Sequence, residues 1–175
     1  NIANVISNLF GVVYLQLGAA TAIIIGNKLG AGKLKEARDT DNKLLVFCVF
    51  VASCVAIVML PFAYGFPKLY NTTDEIRSLA SYLIIVTAAA MPMWAYTNVC
   101  YFTLRSGGRT TITFLFDFIF GWVFQIPLAF ILCYKTTMDF KLIFAIVTFL
   151  ELLKVIIGYF MVRSDMWIVN IVDKE

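Results

Sequence analysis

Residues 44–66 read LLVFCVFVASCVAIVMLPFAYGF, and this uninterrupted apolar stretch decides the fold. It contains no charged side chain, and it is as long as the ~20 residues that a helix needs to cross the hydrocarbon core of a bilayer. Backbone N–H and C=O groups in lipid must be paired within their own segment, so a helix is the expected conformation. The stretch therefore predicts a transmembrane helix.

Four further apolar runs flank it, at residues 5–26, 79–104, 111–134 and 142–162. In the 175-residue chain, 61% of the residues are apolar and 14% are charged, whereas soluble domains have about 25% charged residues. The linkers between the runs are short and polar, with no sign of a soluble domain. We predict an all-α polytopic membrane protein with five transmembrane helices. Because the chain begins with Asn1, we expect residues 1–175 to be part of a longer protein.

The basic residues outside the runs favour one side of the membrane, and their number there is nine against four on the other side. The positive-inside rule places the richer side in the cytoplasm, which predicts Asn1 outside and Glu175 in the cytoplasm. The expected location is a bacterial inner membrane. The nine are Lys28, Lys33, Lys35, Arg38, Lys43, Arg105, Arg109, Arg163 and Lys174, and the four are Lys68, Arg77, Lys135 and Lys141.

Several function classes lack their sequence signatures. The net charge of +3 is spread along the chain, whereas nucleic-acid binding calls for a basic cluster. No His is present, and the four Cys residues form no C-x-x-C pair, so we expect no metal site and no cofactor. Gly32-Lys33 is followed by Leu34 and not by the Ser or Thr of a phosphate-binding loop. We therefore do not expect an enzyme.

Ionisable side chains inside the apolar runs are the strongest functional signal. A charge at a helix centre costs roughly 2.5–3.5 kcal/mol on insertion scales, and the fifth run carries both Glu151 and Lys154. Their i,i+3 spacing allows them to pair with each other. Either the pair fixes helix packing, or it takes part in the movement of substrate or ions.

Polar and aromatic side chains on the third and fourth helices add further candidates. Thr113, Asp117 and Gln125 fall on one helical stripe of the fourth run, which lines either a cavity or a helix contact. On the third run, Asn98 ends a milder polar stripe, and aromatic residues such as Tyr96 could hold an organic cation. The candidate pathway residues are Asp117, Gln125, Asn98, Tyr96, Glu151 and Lys154.

Small residues and prolines suggest where helices approach closely or bend. Gly18, Ala22, Gly26 and Gly30 recur every four residues, which favours close helix contact. Pro127 has no N–H and leaves the carbonyl of the residue four positions earlier without its helical partner.

Three segments, in this order, resemble the multidrug and toxic compound extrusion (MATE) transporters. Gly26-Asn27-Lys28-Leu29-Gly30-Ala31-Gly32, followed by Glu36-Ala37-Arg38, is similar to a loop between the second and third helices of a lobe. Leu104-Arg105-Ser106-Gly107-Gly108-Arg109-Thr110, with Asp117, Trp122 and Pro127, is similar to the next cytoplasmic loop and helix. Glu151-x-x-Lys154 and Arg163-Ser164-x-x-Trp167 resemble the final helix and tail.

The resemblance implies a twelve-helix fold in two lobes of six, of which this chain would be the C-terminal lobe without its first helix. It also implies secondary active export of organic cations and drugs in exchange for Na⁺ or H⁺, with membrane lipids and an N-terminal lobe as partners. Some sodium-coupled members carry an acidic residue in the helix that matches the third run, and this sequence has none between Ser78 and Leu104. Two alternatives stay open: a lipid-linked oligosaccharide flippase of a related superfamily, and a non-transporting membrane scaffold.

Overall fold

A computed structural model describes residues 2–168, and within them every regular element is a helix, as predicted. The predicted sides of Asn1 and Glu175 concern residues outside this described part. The α-helices are α1 (Ile2–Gly30), α2 (Leu34–Gly65), α3 (Asp74–Ser106), α4 (Thr110–Ile119), α5 (Ile126–Lys135), α6 (Phe140–Phe149) and α7 (Leu152–Arg163). A 3₁₀ turn (Phe66–Leu69) follows α2, and a π-helical segment (Phe120–Gln125) lies between α4 and α5.

Four of the five apolar runs form continuous helices that are long and apolar enough to cross a membrane. They are Ile2–Gly30, Leu34–Leu69, Asp74–Ser106 and Thr110–Lys135. The fifth run differs from the prediction because it is divided into α6 and α7. At the junction, the N–H groups of Glu151, Leu153 and Lys154 bond to carbonyls three residues earlier instead of four. The fifth run is therefore two short helices joined by a tightened turn, and it is not among the four helices long enough to cross a membrane.

The helix α3 is the centre of the bundle. It contacts α1, α2, α4, α6 and α7. In its most apolar stretch 44% of the residues are buried, whereas in the most apolar stretch of Thr110–Lys135 only 6% are buried. Small residues on α3 such as Ala80, Ala88 and Ala95 are buried and let its neighbours approach closely. The outer helices instead expose large side chains such as Phe50 and Trp122, as expected of a surface that faces lipid.

Two apolar clusters occupy the two ends of the bundle. One contains Leu29, Leu104 and Trp167, and it lies at the end that carries Lys33, Arg105 and most of the other basic residues. We call this end the basic end. The second cluster, around Ile6, Met59 and Ile84, lies at the opposite end.

The close helix contact predicted for α1 occurs at Gly18. A Cβ atom added there would lie 2.6 Å from a ring carbon of Phe102 and 2.8 Å from Oδ1 of Asn98. At Gly26 the nearest such atom, Cβ of Ser106, is 3.9 Å away, and nothing lies within 4 Å at Gly30. Among the three glycines of the predicted ridge, Gly18 thus makes the tight contact, beside Asn98.

Candidate functional site

The break between α6 and α7 opens onto a cavity of about 280 Å³. Three of the six predicted pathway residues, Asn98, Glu151 and Lys154, line it. The cavity lies between α1, α3 and the α6–α7 junction. The other lining residues are Tyr14, Leu15, Trp94, Thr97 and Tyr101.

Lys154 does not pair with Glu151, as the i,i+3 spacing suggested, but with a residue of the neighbouring helix. Its Nζ lies 3.1 Å from Oδ1 of Asp117 and 4.9 Å from the ring centroid of Phe120. The carboxylate and the ring face attract the ammonium group together, so this contact prevails over the local one. A fourth predicted residue, Asp117, is thereby joined to the site.

Glu151 is therefore left without an ion-pair partner among residues 2–168. Its side chain is half-buried. A half-buried carboxylate without an ion pair attracts cations. Glu151 is thus the acidic residue that lines this cavity without an ion pair in residues 2–168.

Two neutral polar groups next to Glu151 also offer hydrogen bonds. Oδ1 of Asn98 and the hydroxyl of Tyr101 are buried atoms for which no partner is found among the described residues. Both line the cavity, and buried polar groups normally have a partner. Both atoms therefore have unused hydrogen-bonding capacity beside the cavity.

Two aromatic rings form a further part of the cavity wall. The rings of Tyr14 and Trp94 lie with their centroids 6.3 Å apart. Such rings attract cations through their negative faces. Tyr14 was not among the predicted site residues, and its place on α1, one turn before Gly18, is the sequence signal that could have indicated it.

The π-helical segment shapes the Asp117 side of the site. The N–H of Ile126 bonds to the carbonyl of Gly121, five residues earlier, directly before Pro127. Proline removes a helical N–H, and insertions of this kind are frequent at functional sites. Phe120, the first residue of this segment, is buried and contacts Lys154. The helix pattern alone gives no sign of this change in hydrogen bonding.

The remaining two predicted residues lie apart from the cavity. Gln125 is half-buried at the end of the π-helical segment, and Tyr96 lines a second cavity at the basic end. In the part of the chain that the structure describes, no group of three or more Cys, Asp or Glu side chains could hold a metal ion.

Comparison with known proteins places this chain in a family. The MatE family profile matches residues 1–131. "Multidrug resistance protein MdtK" of Proteus mirabilis is 30% identical over 126 residues, and that of Pectobacterium atrosepticum is 29% identical over 126 residues. Each match covers 72% of this chain and 28% of the relative, so the chain spans little more than a quarter of these relatives. No solved structure matches the chain. With the family profile extending over α1 to α4 and most of α5, the chain belongs to the MatE family of multi-pass membrane transporters.

Proposed function

We propose that this chain is part of a secondary antiporter that exports organic cations and drugs in exchange for Na⁺ or H⁺. Within that protein it supplies most of the C-terminal lobe, with its basic end in the cytoplasm. Family membership and the multidrug resistance relatives support this proposal. Secondary transporters bind cargo near the bilayer midplane between two repeats, and an N-terminal lobe would close the cavity from its open side.

The observation that carries the proposal is the unpaired carboxylate of Glu151 within an aromatic cavity. An organic cation placed there would meet the Glu151 charge and the ring faces of Tyr14 and Trp94. Both interactions favour positive cargo with apolar groups. A flippase for anionic head groups would need excess positive charge. Within residues 2–168, Lys154 is the one basic residue lining this cavity, and it is already paired.

Lys154 provides a means of coupling cargo to an ion. When a proton or Na⁺ occupies Asp117, the Asp117–Lys154 pair weakens and Lys154 can turn to Glu151 on its own helix. The ammonium of Lys154 then competes with the cationic cargo for Glu151. Because coupling between two sites is reciprocal, cargo on Glu151 in turn favours the Asp117–Lys154 pair.

Efflux of ethidium from proteoliposomes that contain the full-length protein tests this mechanism. We expect Glu151→Gln to weaken dye transport at every pH, because the cargo loses its counter-charge. Asp117→Asn should remove the dependence of efflux on the ion gradient. Asp39→Asn, at an exposed carboxylate of the basic end, is the matched control. Wild-type, gradient-driven efflux per mole of folded protein in both site variants would refute the proposal.

A further inference from the structure

A second cavity of about 410 Å³ lies at the basic end, next to the turn that follows α7. It shares no lining residue with the candidate site described above. Polar residues of α2, two tyrosines and the turn itself enclose it. These include Asp41, Asn42, Tyr96, Tyr159, Asp165 and Trp167.

Asp41 is the most deeply buried charged residue of this cavity, with 1% of its surface exposed. The hydroxyl of Thr103 donates to its Oδ1 at 2.5 Å. Its second oxygen, Oδ2, has no hydrogen-bond partner in residues 2–168. A buried carboxylate oxygen in this position requires a donor or a positive charge.

The two arginines that line the cavity bond to other residues of its wall and not to Asp41. Arg38 lies 3.1 Å from Oδ2 of Asp165, and the Arg163 guanidinium donates to the hydroxyl of Tyr159. The ion pairs of the described residues do not include Asp41. The Asp41 charge is therefore left for a group from outside these elements.

The other walls indicate what kind of group this is. Oδ1 of Asp165 is a second buried acceptor without a partner in the described part of the chain. The rings of Tyr96, Tyr159 and Trp167 supply apolar and π surfaces. The volume also lies within the ~300–1,000 Å³ typical of small-molecule sites.

We propose that this cavity binds a primary organic ammonium ion. An N–H group of the ligand donates to Oδ2 of Asp41, and its carbon skeleton packs against the tyrosine and tryptophan rings. Binding at this cavity does not require the Asp117–Lys154 pair. The proposal can therefore be tested separately from the proposed transport mechanism.

Protection of an engineered cysteine tests the proposal in the purified full-length protein. Asn42→Cys, in a background without other cysteines, places a thiol on the exposed wall of the cavity. Its reaction with N-ethylmaleimide is followed with phenethylammonium, benzyltrimethylammonium or the neutral 2-phenylethanol present. Lys43→Cys, one residue further along α2 and outside this cavity, is the control thiol.

We expect phenethylammonium to protect the Asn42→Cys thiol and to leave the Lys43→Cys thiol reactive. Benzyltrimethylammonium, which has no N–H, and the neutral alcohol should protect at least about tenfold less well, because a hydrogen bond to a buried charge is lost. Adding Asp41→Asn should weaken protection similarly, whereas Asp39→Asn should not, and Asp117→Asn should leave protection intact.

Equal protection by the alcohol and the ammonium would overturn the proposal, as would full protection in the Asp41→Asn variant. The comparison of the three probes needs no change at Asp41. It therefore tests the proposal even if the Asp41→Asn variant fails to fold.

Discussion

Gly18 shows how one missing side chain sets the distance between α1 and α3. In an exposed helix, replacing Gly by Ala stabilises by about 1 kcal/mol. At Gly18 the new methyl group would meet Phe102 and Asn98 at 2.6 and 2.8 Å, and overpacking costs about 1–3 kcal/mol. We expect Gly18→Ala to lower the thermal stability of the full-length protein, measured by differential scanning fluorimetry. Gly26→Ala, whose nearest neighbour is at 3.9 Å, should be neutral or stabilising, and equal losses in both variants would contradict this explanation.

The Asp117–Lys154 pair joins α4 to α7 by charge. The side chain of Lys154 is 14% exposed and that of Asp117 is 39% exposed, so solvent screens part of the attraction. We expect Lys154→Met to destabilise the protein by about 1 kcal/mol, because Asp117 is left without its partner. A double-mutant cycle with Asp117→Asn should show coupling of this size. Additive effects would mean that the two charges act independently.

At the scale of elements, the turn after α7 packs against the turn between α3 and α4 at the basic end. Arg109 Nε donates to the carbonyl of Met166 at 3.0 Å, and the indole of Trp167 is 1% exposed and donates to the Val162 carbonyl at 2.9 Å. At Gly107 an added Cβ would lie 2.2 Å from the carbonyl oxygen of Trp167. That contact is with backbone, so a rotamer change cannot relieve it.

We therefore expect Gly107→Ala to displace the turn and expose Trp167. The φ of −85° at Gly107 suits any residue, so the effect would be steric. Iodide quenching of tryptophan fluorescence, compared with a Trp167→Phe variant, measures the exposure. Gly30→Ala, with nothing within 4 Å, is the control. Unchanged quenching in Gly107→Ala would show that the turn is not held against Gly107.

The elements also show what sequence can and cannot predict. Apolar length was sufficient to locate all five runs, because each run must satisfy its own backbone in lipid. The π-helical segment and the break before Leu152 went unpredicted, because both are shifts in hydrogen-bond register that leave composition unchanged. The apolar pattern does not indicate Asp41, because the uncharged run begins at residue 44 whereas α2 begins at Leu34. The spacing of Asp41 from Ala37 and Leu45, both buried, places it on the buried face.

The candidate site was predicted by residue type more than by arrangement. Asp117, Glu151 and Lys154 could be singled out because charge in a bilayer is costly. Which carboxylate Lys154 contacts depends on how α4 packs near α7, and the helical spacing of one run cannot supply that information. Gln125 shares a stripe with Asp117 in a regular helix, but the π-helical segment between them alters that register.

For the whole molecule, the charge distribution predicts orientation in the membrane. Lys33 lies in the turn between α1 and α2 at the basic end, and Lys68 lies in the 3₁₀ turn at the opposite end. Both residues are exposed, so a cysteine at either position should react with a membrane-impermeant maleimide applied to its own side. In intact cells that produce the full-length protein without other cysteines, we expect Lys68→Cys to be labelled and Lys33→Cys to be protected. Permeabilisation should make both reactive, which shows that protection reflects sidedness and not burial. Labelling of Lys33→Cys but not Lys68→Cys in intact cells would reverse the orientation, and it would place the Asp41 cavity on the outer face.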